Sequence, residues 1–156
     1  MLAKDIMQPV KHVALSPEQS VLDAMCAMDK ETDSPMPTNG VVIVNAEKKA
    51  LGILSIKDII RAMIPEYLSD NLSEFSWQGM LKERAEQVKQ IQVQQIMSTN
   101  LVTVQANDSL MHCAKLMISK HLQRLPVLDS EGHVLGIVHI YDIYDYISRV
   151  TCPVEK

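Results

Sequence analysis

Hydrophobic and polar positions follow two different periods along this chain, and the changes of period mark out its elements. Lys11 to Leu15 reads as a short extended stretch. Ser16-Pro17 then supplies an N-cap and a first-turn proline, which predicts a helix from about Glu18 to Lys30 with Val21, Leu22, Met25 and Met28 at helical spacing. Gly40 to Val44 and Ala50 to Leu54 are short apolar runs on either side of the polar Asn45 to Lys49, a hairpin signal. A second helix spans Asp58 to Met63 and ends near Pro65. The predicted order is β-α-β-β-α.

That order then returns. Leu101 to Val104, Ser109 to Lys120, Leu125 to Leu128, Val134 to His139 and Ile140 to Arg149 repeat it, and Asp129-Ser130-Glu131-Gly132 gives the second hairpin clear turn chemistry. The match extends to residues: Gly52-Ile53-Leu54-Ser55-Ile56-Lys57-Asp58-Ile59 answers to Gly136-Ile137-Val138-His139-Ile140-Tyr141-Asp142-Ile143, and Ile6-Met7 to Ile96-Met97. Val13, Ser20 and Met28 lie 89 positions before Val102, Ser109 and Met117, whereas Val44, Leu51 and Gly52 lie 84 before Leu128, Leu135 and Gly136. The first copy therefore carries about five extra residues within Asp29 to Asn39, a Pro- and Asn-containing stretch that reads as a surface loop tolerant of insertion. Between the copies, Trp77, Met80, Leu81, Ala85, Val88 and Ile91 form one face of a predicted helix, with Lys82, Glu83, Glu86 and Lys89 opposite. These readings divide the chain into a first repeat at 1–65, a helical connector at 66–92 and a second repeat at 93–150, a mixed α/β (α+β) architecture.

Composition narrows the function classes. With 156 residues and 47% hydrophobic content the chain has enough material for a real core. Nineteen acidic against 15 basic residues leave no broad basic surface for duplex nucleic acid. The longest apolar run, Val41 to Val44, is far shorter than the roughly 20 residues of a membrane span, and the first residues do not resemble a signal peptide, so the expectation is a soluble cytoplasmic protein. Cys26, Cys113 and Cys152 have no C-x-x-C spacing, and the first two read as buried free thiols. The histidines at 12, 112, 121, 133 and 139 lack the spacing of a zinc site, and no nucleophile elbow or other catalytic frame is present. The expectation is no metal and no catalytic site.

Met7-x-Pro9, Ile96-Met97, Leu125-Pro126-Val127-Leu128-Asp129 and the two Gly-x-x-x-x-x-Asp segments, in this order and duplicated, resemble the CBS domain pair, named after cystathionine beta-synthase and also called a Bateman module. The resemblance implies two β-α-β-β-α repeats about a pseudo-two-fold axis, a cleft that takes an adenosyl ligand (AMP, ADP, ATP or S-adenosylmethionine), and a stand-alone, non-enzymatic regulatory or energy-sensing role. It also implies a homodimer and a regulated protein that the sequence does not identify. Carried over by position, the phosphate-side and ribose-side residues are Ser55 and Asp58 in the first copy, His139 and Asp142 in the second, with Val13 and Val102 against the adenine. Lys57 and Arg61 add positive charge nearby, and Arg124, beside Pro126, is either an exposed charge or a residue that reaches across to phosphates.

The chemistry suits such a ligand. An ionised carboxylate only accepts hydrogen bonds and takes both protons of a ribose diol, while a strand-to-helix junction offers helix N-terminal N–H groups to phosphate. Ser55-x-x-Asp58 is equally the pattern of a helix capping box. Capping accounts for the first copy but less well for the second, because His139 is a poor cap while Asp142 is still present; separately, His139 if protonated would favour an anion. A structural interaction module that keeps the fold and binds no nucleotide is the alternative function. For either, apolar residues on more than one face of both second helices, Ile59, Ile60, Met63 and Ile64 in one and Ile140, Ile143, Tyr144 and Ile147 in the other, give one side to the core and one to a second subunit.

Overall fold

The computed structural model describes residues 1–9, 14–29, 40–64 and 74–152, with backbone only for 74–78. Val13, Lys11, most of the loop before Gly40, and Pro65 lie outside the described residues, as does the side chain of Trp77. In chain order the elements are α1 (Ala3–Ile6), β1 (Gln8–Pro9), β2 (Ala14–Leu15), α2 (Val21–Asp29), β3 (Gly40–Val44), β4 (Ala50–Ser55), α3 (Ile56–Met63) and α4 (Glu74–Val88). A 3-10 turn at Val93–Gln95 precedes β5 (Val104–Gln105), α5 (Leu110–Lys120), β6 (Arg124–Leu128), β7 (Val134–His139) and α6 (Ile140–Thr151). The β-α-β-β-α order is therefore present twice, as β2-α2-β3-β4-α3 and β5-α5-β6-β7-α6, in a mixed α/β fold with two sheets.

The chain divides into two compact units. One comprises Met1–Lys11, Glu47–Ala50 and Val102–Lys156, the other His12–Ala46 and Leu51–Leu101. In the first, the strands run β1-β7-β6-β5, with β1 and β6 antiparallel to β7 and β5 parallel to β6. In the second, the order is β2-β3-β4, with β2 parallel to β3. Each unit so takes its leading segment from the far part of the chain: Gln8 and Pro9 pair with Ile137 and Gly136, and Ser98 bridges Ile53.

The two cores correspond residue by residue. Leu15, Val21, Ala24, Met28, Val41, Ile43, Leu54 and Ile59 fill one, and Val104, Leu110, Cys113, Met117, Leu125, Val127, Val138 and Ile143 fill the other in the same order. Burying an aliphatic side chain of this size contributes about 1.5–3 kcal/mol. Val93 completes the first cluster and Ala3 the second, each from the leading segment. The connector α4 adds Val88, and Arg84 Nη2 donates to the carbonyl of Ala62 at 2.9 Å, satisfying one of the open carbonyls at the end of α3.

Three expectations change. The first long helix begins at Val21, because Ser20 and Asp23 form reciprocal caps at 3.1 Å each while Ser16 and Gln19 close a separate turn. Leu22, Leu81 and Cys26 turn outward: the inward face of α2 is Val21, Ala24 and Met28, and Leu81 is 56% exposed. Cys113 alone of the three thiols is buried, and burial pushes its pKa up, which makes it inert.

Glycine is required where the leading segments cross. A Cβ at Gly136 would collide with the carbonyl oxygen of Gln8 and lie 3.1 Å from Met7 Sδ. One at Gly52 would lie 2.7 Å from Met97 Sδ and 2.8 Å from the carbonyl oxygen of Ser98. Gly136→Ala is expected to lower unfolding stability by about 1–3 kcal/mol in urea titration. Gly79→Ala, in α4 with nothing within 4 Å of the new methyl, is expected to raise it by about 0.5–1 kcal/mol. Equal effects at the two positions would show that backbone crowding is not what Gly136 avoids.

Candidate functional site

Both repeats end in the same construction: a buried strand runs directly into a helix whose third residue is an aspartate. At the β4–α3 junction Ser55 and Asp58 are both buried. Asp58 Oδ2 accepts from the Ser55 N–H and from Ser55 Oγ at 2.9 Å each, while the Asp58 N–H donates to Ser55 Oγ at 3.2 Å. Arg61 Nη1 donates to Asp58 Oδ1 at 3.0 Å. Both carboxylate oxygens are thus engaged inside the first turn and a half of α3. Lys57 is exposed on the same turn.

The β7–α6 junction has the same frame and different occupants. Asp142 Oδ2 accepts from the His139 N–H at 2.9 Å, but the His139 side chain returns no cap to the helix, as its residue type foretold. The first N–H of α6, that of Ile140, donates instead to the carbonyl of Gln123 at 2.8 Å. At the position that matches Arg61, Asp145 stands and pairs with Arg149 on the outer face of α6.

Register brings two more polar residues to this junction. Arg124 on β6 lies directly opposite His139, and Gln8 on β1 lies opposite Ile137, two residues before His139 and so on the same face of the sheet. The Gln8 side chain hydrogen-bonds Asp142. Among the described residues, Gln8 Oε1 and His139 Nε2 are buried and have no hydrogen-bond partner. Gln8 is the residue sequence reasoning missed. Its signal was a lone amide inside Met7-x-Pro9, between an apolar residue and an edge-strand proline.

The electrostatics differ from the sequence expectation. Burial, aided by the charge of Arg124, pushes His139 down to about 4, so its ring is neutral near pH 7 and is not the cation considered above. Burial raises the Asp142 carboxyl, opposed by the His139 N–H and the Gln8 amide and reinforced by Asp145. Of the adenine-facing candidates, Val102 is half-buried against the core of its own unit, and Val13 is outside the described residues. Among the described residues no group of three or more His, Cys, Asp or Glu is arranged to hold a metal ion.

Stability inherits a pH dependence from His139. The unfolded imidazole protonates near its ordinary value of 6.5 and the folded one only near 4, so between these the unfolded state binds more protons and stability falls as pH falls. The loss is expected to reach on the order of 2–3 kcal/mol by the foot of that window and to be absent above pH 7. Asp142, with a raised pKa, acts in the opposite sense at the lower end. His139→Gln removes only the imidazole contribution, and a denaturation series from pH 7.5 to 4.5 with an unchanged slope in this variant would show that the ring is not the source.

The CBS domain family model matches the chain twice, over residues 3–65 and 93–149. An uncharacterized protein of Methanocaldococcus jannaschii, MJ1426, is 27% identical over 158 residues, covering 93% of this chain and 90% of that protein. Similarity also extends to part of a larger enzyme: inosine-5'-monophosphate dehydrogenase of Aquifex aeolicus is 29% identical over 134 residues, 86% of this chain but 22% of the dehydrogenase. Among solved structures, CBSX2 in complex with AMP has a TM-score of 0.71 at 19% identity, covering 96% of this chain and 98% of that one. The CBS domain pair of protein MJ0100 in complex with 5'-methylthioadenosine and S-adenosyl-L-methionine has a TM-score of 0.69 at 22% identity, covering 97% and 98%. At these identities the structures speak for the fold alone. Two matched repeats spanning most of its length place the chain in a family: it belongs to the CBS domain family.

Proposed function

We propose that this protein is a regulatory module that senses an adenosyl ligand, one of AMP, ADP, ATP or S-adenosylmethionine, and that it is not itself an enzyme. The observation that carries the reading is the repeated junction, a carboxylate held at the third position of a helix that leaves a buried strand. Such a carboxylate accepts the two protons of a ribose diol, and the helix N-terminus beside it favours phosphate. Support comes from the fold neighbours, one solved with AMP and one with 5'-methylthioadenosine and S-adenosyl-L-methionine. Binding that prefers one arrangement of the module would bias the conformation of a regulated protein, the partner this reading requires. No described helix is long and apolar enough to cross a membrane.

A second reading, an interaction module that binds no nucleotide, is favoured by the outer faces of the second helices. Ile56, Ile60 and Ile64 repeat every four residues on α3 and at its end, and Ile140, Tyr144 and Ile147 recur at steps of four and three on α6, all exposed while Ile59 and Ile143 face the cores. On either reading these faces are proposed to pair two copies. Light scattering is expected to give twice 17.5 kDa, with Ile60→Glu and Tyr144→Glu shifting the protein to monomer; a wild-type monomer at high concentration would remove the dimer from both readings.

A thermal-shift screen against AMP, ADP, ATP and S-adenosylmethionine separates the two. A ligand at 100 times its Kd stabilises the folded state by about 2.7 kcal/mol, a rise of several degrees for a chain of this size. A rise with one of these ligands, confirmed by calorimetry, is the expected result. No rise with any, for folded protein purified free of nucleotide, favours the interaction module.

A further inference from the structure

We infer that two copies of this chain pair head to tail, the helices of the first repeat in one copy lying against the helices of the second repeat in the other. The occupant of each exposed helix face is a second copy of the chain. This rests on the proposal that the outer faces of α3 and α6 pair two copies. It goes further, because it adds α2 and α5 to the interface and fixes which repeat meets which.

The duplicated helices keep their outward apolar positions and invert their charge. The spacing of 89 puts Leu22 and Cys26 of α2 level with Met111 and Lys115 of α5, and all four are exposed. On α5, Met111, Lys115 and Ile118 fall at steps of four and three, so a single outward stripe sets an ammonium between two apolar side chains that are 78% and 69% exposed. α2 has acidic residues and no basic one, and its Asp23, which also accepts from the Ser20 N–H, is exposed beside Leu22. α5 has Lys115 and Lys120 and no acidic residue, both lysines are exposed, and His112 stands where α2 has Asp23. The second helices invert in the opposite sense. α3 has Lys57 and Arg61 against one acid, Asp58, whereas α6 has Asp142 and Asp145 against one base, Arg149.

A two-fold dimer must choose between like and unlike faces. Head to head, each repeat meets its own copy, so Lys115 meets the partner's Lys115 in the middle of an apolar stripe and Asp23 meets the partner's Asp23. Like charges placed so oppose association. Head to tail, α2 meets α5 and α5 meets α2. Lys115 then comes beside the acidic face of α2, Leu22 covers the stripe of Met111 and Ile118, and α3 meets the oppositely charged α6. The apolar positions attract in either arrangement, and the charge inversion between the repeats selects one of them.

The test uses the full chain at low salt, where such charges are least screened, and reads the dimer dissociation constant by sedimentation. Lys115→Glu sets a carboxylate against an acidic face and Cys26→Lys sets an ammonium against Lys115, and each is expected to weaken the dimer by about tenfold. Combined in one chain, the two substitutions are expected to bring it back to within about threefold of the unmutated protein, because the exchanged charges again meet their opposites. Head to head, every substituted residue would meet its own copy and the double variant would not recover. Cross-linking reads the geometry separately. In Cys152→Ser protein carrying Lys115→Cys, with Cys113 buried, a short bis-maleimide is expected to give covalent dimers joined from Cys26 of one copy to position 115 of the other, identified by mass spectrometry. Covalent dimers joined Cys26 to Cys26, or a double variant without recovery, overturn the head-to-tail assignment and leave the dimer intact. An unmutated protein that is monomeric at high concentration overturns the dimer and this inference with it.

Discussion

The close approach of backbone to backbone at two glycines is the constraint on which the rest of this structure depends. β1 reaches β7 only because Gly136 has no Cβ to meet the Gln8 carbonyl, and Ser98 reaches Ile53 only because Gly52 has none to meet Met97. These contacts seat Ala3 and Val93 in the two cores, so each unit is closed by a piece of chain distant from its body. The arrangement has a consequence for the β7–α6 junction. It delivers Gln8 to the face of β7 that carries His139, which no local folding of residues 93–150 would do.

Duplication supplied a common frame, and the two junctions use it for different ends. Where a serine precedes the helix, the hydroxyl and the aspartate satisfy each other and an arginine one turn on takes the remaining oxygen. Where a histidine precedes it, the ring makes no side-chain cap, and the aspartate accepts from the His139 N–H and interacts with Gln8. The cost of burying a histidine falls on its proton, which leaves near pH 4, and a neutral ring in that position is a hydrogen-bonding group without a charge. Family position assigned both junctions the same chemistry. Hydrogen-bond accounting separates them.

Much of this was legible in the sequence because the signals are local. Helix and strand periods, the hairpin turn at Asp129 to Gly132 and the repeat spacing of 89 and 84 all concern residues near one another or a pattern compared with itself. The pairing of Val41 with Leu125 and of Leu54 with Val138 as matched core positions follows directly from that comparison. What misled was competition between two adequate local signals. Ser16-Pro17 and Ser20-x-x-Asp23 both announce a helix start, and the second prevails because it satisfies two backbone donors reciprocally.

The amino-acid sequence by itself determined the β-α-β-β-α order, its duplication, the CBS resemblance and the aspartates that close each repeat, since each is written in residue type and spacing. Tertiary structure alone decided which segment closes which sheet, that Leu22, Leu81 and Cys26 face outward, and that Gln8 belongs beside Asp142. It also decided that both Asp58 oxygens are engaged by Ser55 and Arg61, while Gln8 Oε1 and His139 Nε2 have no partner among the described residues. The physical reason is range: propensity and periodicity act over a few residues, whereas hydrogen-bond satisfaction and desolvation depend on everything packed around a group, including residues more than a hundred positions away in the chain.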